Sequence, residues 1–145
     1  MITAQMAVNL MKENPDGATG SIILNSSMTA HLPLANYVAY STAKGAHIAL
    51  MKSAAKHCAS AGMKTRVNSI HPGVVETEMI TAIIDGAPNT KAARAQFENM
   101  APLKRMASVD EIAGLVVYLG SDEAAFISGA AYNIDGASTA GMMGV

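Results

Sequence analysis

The sequence predicts an α/β protein in which three short parallel strands form a sheet with helices on both faces. Three apolar runs bounded by turn residues predict the strands, at residues 21–24, 65–70 and 130–134. Segments with helical periodicity or helix-capping residues lie between these runs, and strands that alternate with helices build parallel sheets. Open sheets of this class bind their ligands beyond the carboxyl ends of the strands.

The composition is that of a globular protein and excludes several other classes of protein. The 145 residues suffice for one domain; half of them are apolar and 14% are charged. A net charge of −1 gives no electrostatic reason to expect a nucleic acid or an anionic membrane as a partner. Cys58 is the only cysteine, which excludes an intramolecular disulfide and favours a reducing compartment. No apolar run reaches about 18 residues and no signal-like segment opens the chain, so we expect a soluble, cytoplasmic protein.

The amino-terminal part predicts a helix followed by a buried strand. Helical spacing extends over residues 1–13, and the apolar stripe on this helix is formed by Ile2, Met6 and Leu10. Turn residues end the helix, and the strand at 21–24 comes next. The sequence Asn-Ser-Ser at 25–27 then lies at the carboxyl end of that strand, where this class of sheet binds ligands.

A second helix is predicted over residues 37–61, with Asn36 as its cap. Tyr40 lies in its first turn and Lys44 one turn later. Because residues four apart share a helix face, both side chains can point into one site that Ser27 also faces.

That combination suits proton transfer. An ammonium about 4 Å from a phenol oxygen stabilises the phenolate by on the order of 4 kcal/mol at an effective dielectric of 20. The Ser27 hydroxyl can hold a carbonyl or alcohol oxygen. A lone Tyr-x-x-x-Lys pair is weak evidence, since an ordinary surface helix can also carry one.

The carboxyl-terminal part predicts two more strands and one well-capped helix. His71-Pro72-Gly73 breaks the second strand, and His71 is interpreted as a strand-end residue rather than a catalyst. Ser108 and Glu111 match a capping box. The inner face of the helix that begins there is predicted to hold Ile112, Leu115, Val116 and Leu119. No group of residues has metal-ligand spacing, so no metal is expected.

Four motifs in order resemble the classical short-chain dehydrogenase/reductase (SDR) family over almost the whole chain. They are NSS at 25–27, AYSTAKGA at 39–46, RVNSIHPGVVETEM at 66–79 and AAYNIDGA at 130–137. The resemblance implies the C-terminal half of a doubly wound, Rossmann-type parallel sheet. It also implies reversible hydride transfer between NAD or NADP and a secondary alcohol or ketone.

The resemblance assigns roles residue by residue. Ser27, Tyr40 and Lys44 would be catalytic, and Tyr40 and Lys44 would also contact the cofactor, the lysine at the nicotinamide ribose. The segment after the second strand would contact the nicotinamide end through Pro72, Gly73, Val75 and Thr77. Residues 76–105, named here the cover segment, resemble the part that closes over the substrate. Its apolar residues either dock it on the core or line a pocket for a small apolar substrate.

The chain departs from the family pattern at its start. No glycine-rich strand-to-helix turn precedes Ser27, and the glycines at 17–20 precede a strand instead. We therefore expect residues 1–145 to be the C-terminal part of a single NAD(P)-binding domain. The residues that distinguish NAD from NADP would lie in the missing half. Ala137 also stands where family members usually have a glycine.

Two expectations concern the behaviour of this chain. The two helices that flank the serine strand pair across a dimer axis in the family, so a homo-oligomer (dimer or tetramer) is expected. The second of these helices carries a face of small residues: Ala39, Ala43, Ala46, Ala49 and Ala54. The alternative to an enzyme is a truncated, non-catalytic remnant that keeps these helices and binds no cofactor. The isolated chain is expected to associate through the open edge of its first strand and to bind NAD(H) or NADP(H) negligibly.

Overall fold

The computed structural model describes residues 2–141 and contains a three-stranded sheet with flanking helices. The strands are β1 (Thr19–Asn25), β2 (Lys64–Pro72) and β3 (Ala131–Ile134). The helices are α1 (Ile2–Met11), α2 (Val38–Ser60), α3 (Glu78–Asp85), α4 (Thr90–Glu98) and α5 (Val109–Gly120). Two short 3-10 turns lie at Met28–Ala30 and Asp122–Ala124. None of the helices in the described range is both long and apolar enough to cross a membrane.

The sheet is parallel throughout, with the strand order β1-β2-β3. Its register pairs Ile22 with Val67 and Ile70 with Tyr132. This arrangement confirms the predicted fold class. It also places β1 at an edge, and within residues 2–141 no strand pairs with its outer side.

The main core lies between the sheet and α1 and α2. Its buried members are Ile22, Met51, Ala55, Cys58 and Val67. Three of them come from α2 at intervals of four and three residues, which is the spacing that keeps side chains on one helix face. This face fixes the rotation of α2 about its axis and therefore the direction in which its other residues point.

Helix α1 is present as predicted, but a different side of it from the Met6–Leu10 stripe meets the core. Met6 and Leu10 are 58% and 63% exposed, whereas Val8 and Met11 pack against the core. The Ile2 side chain lies outside what the structure describes. A spacing of four residues identifies a shared face but not which face meets the sheet. Gly20 decides the contact, because a Cβ there would lie 2.7 Å from Met11 Cε.

Two predicted boundaries also change. Tyr37, not Asn36, is the N-cap of α2, and it makes no side-chain capping bond. Strand β2 spans Lys64–Pro72, whereas the predicted strand ended at Ile70. In the ladder, Gly73 N–H donates to the carbonyl of Ile134 at 3.1 Å. Since parallel strands bond alternately to either side, the nitrogen of Pro72 faces the β1 side beyond the end of β1, where no donor is needed.

Helix α5 begins as predicted and packs slightly differently. The Ser108–Glu111 capping box is present in both directions. Leu119 is completely buried, but Val116 is 37% exposed, so its placement on the inner face was wrong. After β3, Ala137 has a φ of 71°, the left-handed region that favours glycine.

Candidate active site

A cavity of about 480 Å³ lies at the carboxyl ends of β1 and β2. It brings together every site residue that the sequence predicts. These residues are Ser27, Tyr40, Lys44, Pro72, Gly73, Val75 and Thr77. They come from three separate stretches of chain, so their convergence is a property of the fold and not of sequence proximity.

The two neighbouring serines at the end of β1 are bonded differently. Ser26 Oγ donates to the carbonyl of Lys44 at 2.8 Å, and this bond ties the β1 end to α2. Ser27 Oγ accepts the backbone N–H of Thr29 at 3.2 Å, as the N-cap of the 3-10 turn. Because that bond leaves the hydroxyl hydrogen of Ser27 free, Ser27 can still donate to an oxygen in the cavity.

Helix α2 places Tyr40 and Lys44 together at the opening. The Lys44 ammonium nitrogen is 5.6 Å from the centre of the Tyr40 ring. It donates to the carbonyl of Asn25 at 2.9 Å, which uses one of its three N–H donors. Tyr40 is 47% exposed, so a molecule in the cavity can reach it. The Lys44–Asn25 contact was not predicted, because it depends on how α2 packs against the end of β1.

The segment after β2 is fixed by backbone contacts. A Cβ on Gly73 would lie 2.8 Å from the Cα of Asp135, so only glycine allows this approach to the end of β3. Val75 forms a parallel bridge with Ala107. Thr77 Oγ1 accepts the N–H of Ile80 at 3.4 Å and caps α3, which leaves its hydroxyl hydrogen available to a ligand.

His71 is completely buried beneath the serine loop. Its Nδ1 lies 3.1 Å from the carbonyl oxygen of Ser27, and its Nε2 lies 2.8 Å from Ser69 Oγ. The His31 ring packs against it with centroids 4.5 Å apart. Desolvation by burial lowers the pKa of His71, the bond to the Ser27 carbonyl partly opposes this effect, and the nearby His31 and His47 lower the pKa further.

The rest of the cavity is mainly apolar. The side chains that contribute are Met28, Leu34, Met79, Ile80, Phe97, Met100, Val109 and Ile112. The cover segment supplies four of them, so its apolar residues do line the cavity. Sequence reasoning did not assign Met28, Leu34, Phe97 or Val109 to the site. The cavity has one charged side chain among these described lining residues, Lys44.

Residues 2–141 contain no group of three or more histidine, cysteine, aspartate or glutamate side chains placed to hold a metal ion.

The chain is similar to a known family model and to several known proteins. The family model described as Enoyl-(Acyl carrier protein) reductase, of the adh_short_C2 type, matches residues 1–139. Dehydrogenase/reductase SDR family member 6 of Aquarana catesbeiana is 39% identical over 119 residues, 81% of this chain and 48% of that protein. The NADP-dependent (R)-specific alcohol dehydrogenase of Lentilactobacillus kefiri is 34% identical over 94% of this chain and 51% of its own length.

A solved structure from Agrobacterium tumefaciens with bound NADP superposes with a TM-score of 0.79 at 28% identity. The match covers 95% of this chain and 52% of that one. The chain therefore spans about half the length of the relatives it matches.

Proposed function

Because the chain belongs to the short-chain dehydrogenase/reductase family, we propose that it forms the catalytic, C-terminal part of a nicotinamide-dependent oxidoreductase. Residues 1–145 would be part of one NAD(P)-binding domain. The observation that carries the proposal is the convergence of Ser27, Tyr40 and Lys44 on one cavity at the carboxyl edge of a parallel sheet.

The residues present fit the nicotinamide end of NAD or NADP. Lys44 keeps two N–H donors and Tyr40 a hydroxyl, and these suit the hydroxyl groups of a ribose. Thr77 and the backbone after Pro72 would hold the nicotinamide ring from the opposite wall. Within residues 2–141, no glycine-rich turn leads from a strand into a helix, so the pyrophosphate finds no matching site in the described chain.

The proposed mechanism assigns one task to each side chain. A bound nicotinamide supplies or accepts the hydride. Tyr40 takes the hydroxyl proton of an alcohol during oxidation, and it returns a proton to the carbonyl oxygen during reduction. Lys44 holds its positive charge beside the Tyr40 ring and would bind the cofactor ribose. Ser27 donates its free hydroxyl hydrogen to the substrate oxygen and so holds the reacting carbon in place.

The cavity favours a small, uncharged substrate. Its apolar side chains would leave a phosphate or carboxylate on the substrate desolvated, with Lys44 already assigned to the cofactor and Tyr40. A secondary alcohol or ketone with short hydrocarbon substituents fits this lining, and we propose that class as substrate.

We further propose that the chain assembles as a homo-oligomer through α1 and α2. Four of the five small residues on α2 are exposed, and the fifth, Ala54, is half-buried against the core. Helix α1 also exposes Met6 and Leu10. An exposed apolar surface of this kind is typical of a protein interface. Sedimentation of the completed enzyme would test it: Ala46→Arg should shift the oligomer to smaller species, and an unchanged distribution would exclude this face.

The catalytic proposal is tested in a completed domain. We would fuse the amino-terminal half of the Lentilactobacillus kefiri alcohol dehydrogenase to Met1, confirm a cooperative thermal transition, and follow nicotinamide absorbance with short secondary alcohols. Tyr40→Phe should lower turnover roughly 10²- to 10⁴-fold, because the transferable proton is lost.

Tyr37→Phe is the matched control, since Tyr37 lies three residues earlier, is 60% exposed and is absent from the cavity lining. Activity that survives Tyr40→Phe would reject the mechanism. A folded fusion protein that neither turns over nor binds cofactor would favour the non-catalytic remnant.

A further inference from the structure

The buried His71 connects the loop that carries Ser27 to strand β2. Each ring nitrogen has one partner: the Ser27 carbonyl oxygen at 3.1 Å from Nδ1, and Ser69 Oγ at 2.8 Å from Nε2. No part of the ring is exposed to solvent. A completely buried histidine with both nitrogens bonded, one of them to the backbone of the proposed catalytic serine, has a defined geometry and a defined proton position.

The partners determine where the ring carries its proton. A carbonyl oxygen can only accept a hydrogen bond, so Nδ1 carries the hydrogen and donates it to Ser27. Burial lowers the pKa of His71, which leaves the ring neutral at neutral pH. Nε2 is then an acceptor for the Ser69 hydroxyl, which can donate or accept and so fits the form that the Ser27 carbonyl requires.

We propose that His71 is a positioning residue for Ser27, acting through the Nδ1–H bond to the Ser27 carbonyl. The inference rests on the catalytic role proposed for Ser27. The bond fixes the peptide unit from which the reactive hydroxyl projects, while the bond from Thr29 N–H to Ser27 Oγ fixes the hydroxyl itself. A displacement of about 1 Å at a reacting group can lower a rate roughly 10²-fold. Loss of the bond from His71 to the Ser27 carbonyl would therefore lower the rate if it let Ser27 move by that distance.

Two substitutions separate positioning from general support of the core. In His71→Asn the amide nitrogen lies the same number of bonds from the backbone as Nδ1, so it can still donate to Ser27. In His71→Gln the amide lies where Nε2 was, so it can still bond Ser69 but not the Ser27 carbonyl. Both variants remove the ring and its contact with His31.

We expect the completed enzyme to keep most of its kcat with His71→Asn and to lose roughly 10²-fold with His71→Gln, with KM changed little. Two readouts do not depend on activity. A long-range proton–nitrogen NMR spectrum of the unmodified enzyme should place the ring hydrogen on Nδ1. Exchange of the Thr29 amide should accelerate in His71→Gln and stay slow in His71→Asn.

Each outcome bears on the proposal. A hydrogen on Nε2 in the unmodified protein would overturn it, whether or not the variants fold. Equal kcat losses in the two variants would also overturn it, because they would reflect the missing ring. If the unmodified enzyme shows no turnover, the proposed function fails, while the proton position and the Thr29 exchange rates still decide whether His71 anchors the serine loop.

Discussion

Two regions that line the same cavity are held in place by different means. One is the strand-end cluster, defined here as Asn25, Ser26, Ser27, Ser69 and His71. Its last four members are buried, and hydrogen bonds connect the cluster to α2. The other is the cover segment at 76–105. Helix α4 has no buried residue, and α3 has one, Ile84.

The ion pairs of Arg94 lie at the surface of the cover segment and join residues within the segment. Arg94 lies 2.6 Å from Glu76 and 3.6 Å from Glu98, and the Arg94 and Glu76 side chains are 41% and 47% exposed. Exposed ion pairs of this kind contribute little to stability. The contrast indicates that the residues to which we assign proton transfer and oxygen binding lie on a rigid scaffold, whereas the apolar wall of the cavity is less firmly held and would open for the proposed substrate.

The largest expected effect on activity comes from Lys44, which is bonded to the strand-end cluster. Lys44→Ala in the completed enzyme should weaken cofactor binding and lower kcat/KM by roughly 10²-fold or more, because charge stabilisation and ribose contacts are lost together. Lys52→Ala is the control, since Lys52 is an exposed lysine two turns further along α2. Cofactor titration measures the binding affinity, and initial rates measure kcat/KM. Similar losses in the two variants would contradict the catalytic and cofactor-binding role proposed for Lys44.

A matched pair of core substitutions compares the two regions directly. Ile70 in β2 and Ile84 in α3 are 2% and 3% exposed. Ile70→Ala should lower the free energy of unfolding by about 2–5 kcal/mol, as a cavity in a rigid core does. Ile84→Ala should cost less in global unfolding and should mainly accelerate amide exchange within α3 and α4.

Denaturant titration measures the free energy of unfolding of each variant, and hydrogen exchange measures the local opening of α3 and α4. If both substitutions reduce global stability equally, the cover segment unfolds with the sheet and the distinction between the regions is lost.

As the pH falls, folding stability should decrease first through His71 and His47 and only at lower pH through the exposed Glu111. Burial lowers the pKa of His71 and of His47 below the unfolded value of 6.5, and for His47 the charge on Lys44 adds to the effect. The unfolded chain then binds protons that the folded chain does not. Stability should therefore fall as pH drops below 6.5, by at most about 1.4 kcal/mol per pH unit for each histidine.

The pKa of Glu111 is lowered from 4.5 to about 2 by Arg105 and the Ser108 N–H, so its contribution is present above pH 4.5 and lost between 4.5 and 2. Denaturation midpoints measured from pH 7 down to pH 2 test whether the histidines lose their contribution before Glu111 does. In His71→Asn the decline just below 6.5 should be shallower, and an unchanged slope there would exclude His71 as its source.

The smallest expected effect is at the surface of the cover segment. Arg94→Ala breaks the contacts to Glu76 and Glu98, and it should change the free energy of unfolding less than either core substitution does, because exposed ion pairs are screened by solvent. Limited proteolysis should nevertheless cut residues 86–100 faster. A large loss of global stability would show that the ion pairs hold more than this segment.

Features that depend on local periodicity were predictable from the sequence. Helical spacing put Tyr40 and Lys44 on one face, and the position after β1 put Ser27 at the carboxyl edge of the sheet; all three side chains line the cavity. Ser108 and Glu111 specify their helix start by local chemistry alone. Such features depend on neighbours within one turn, so one sequence suffices to find them.

Other features depend on partners far away in the chain. The contact between Met11 and Gly20 decides which face of α1 meets the sheet, and the spacing of residues within the helix does not predict that contact. The His71 network joins residues 44 positions apart. The bond from Lys44 to the Asn25 carbonyl likewise depends on where α2 packs. Tertiary geometry, rather than residue type, decides these contacts.

The proposed function requires that hydride pass directly between a carbinol carbon and a nicotinamide in this cavity. Isotope tracing in the completed enzyme can follow that hydride, with a secondary alcohol deuterated at the carbinol carbon and oxidised cofactor as the acceptor. After turnover, mass spectrometry of the reduced cofactor should find one deuterium in the nicotinamide and none from solvent. Deuterium released to water, or turnover without label in the cofactor, would exclude direct hydride transfer and with it the proposed function.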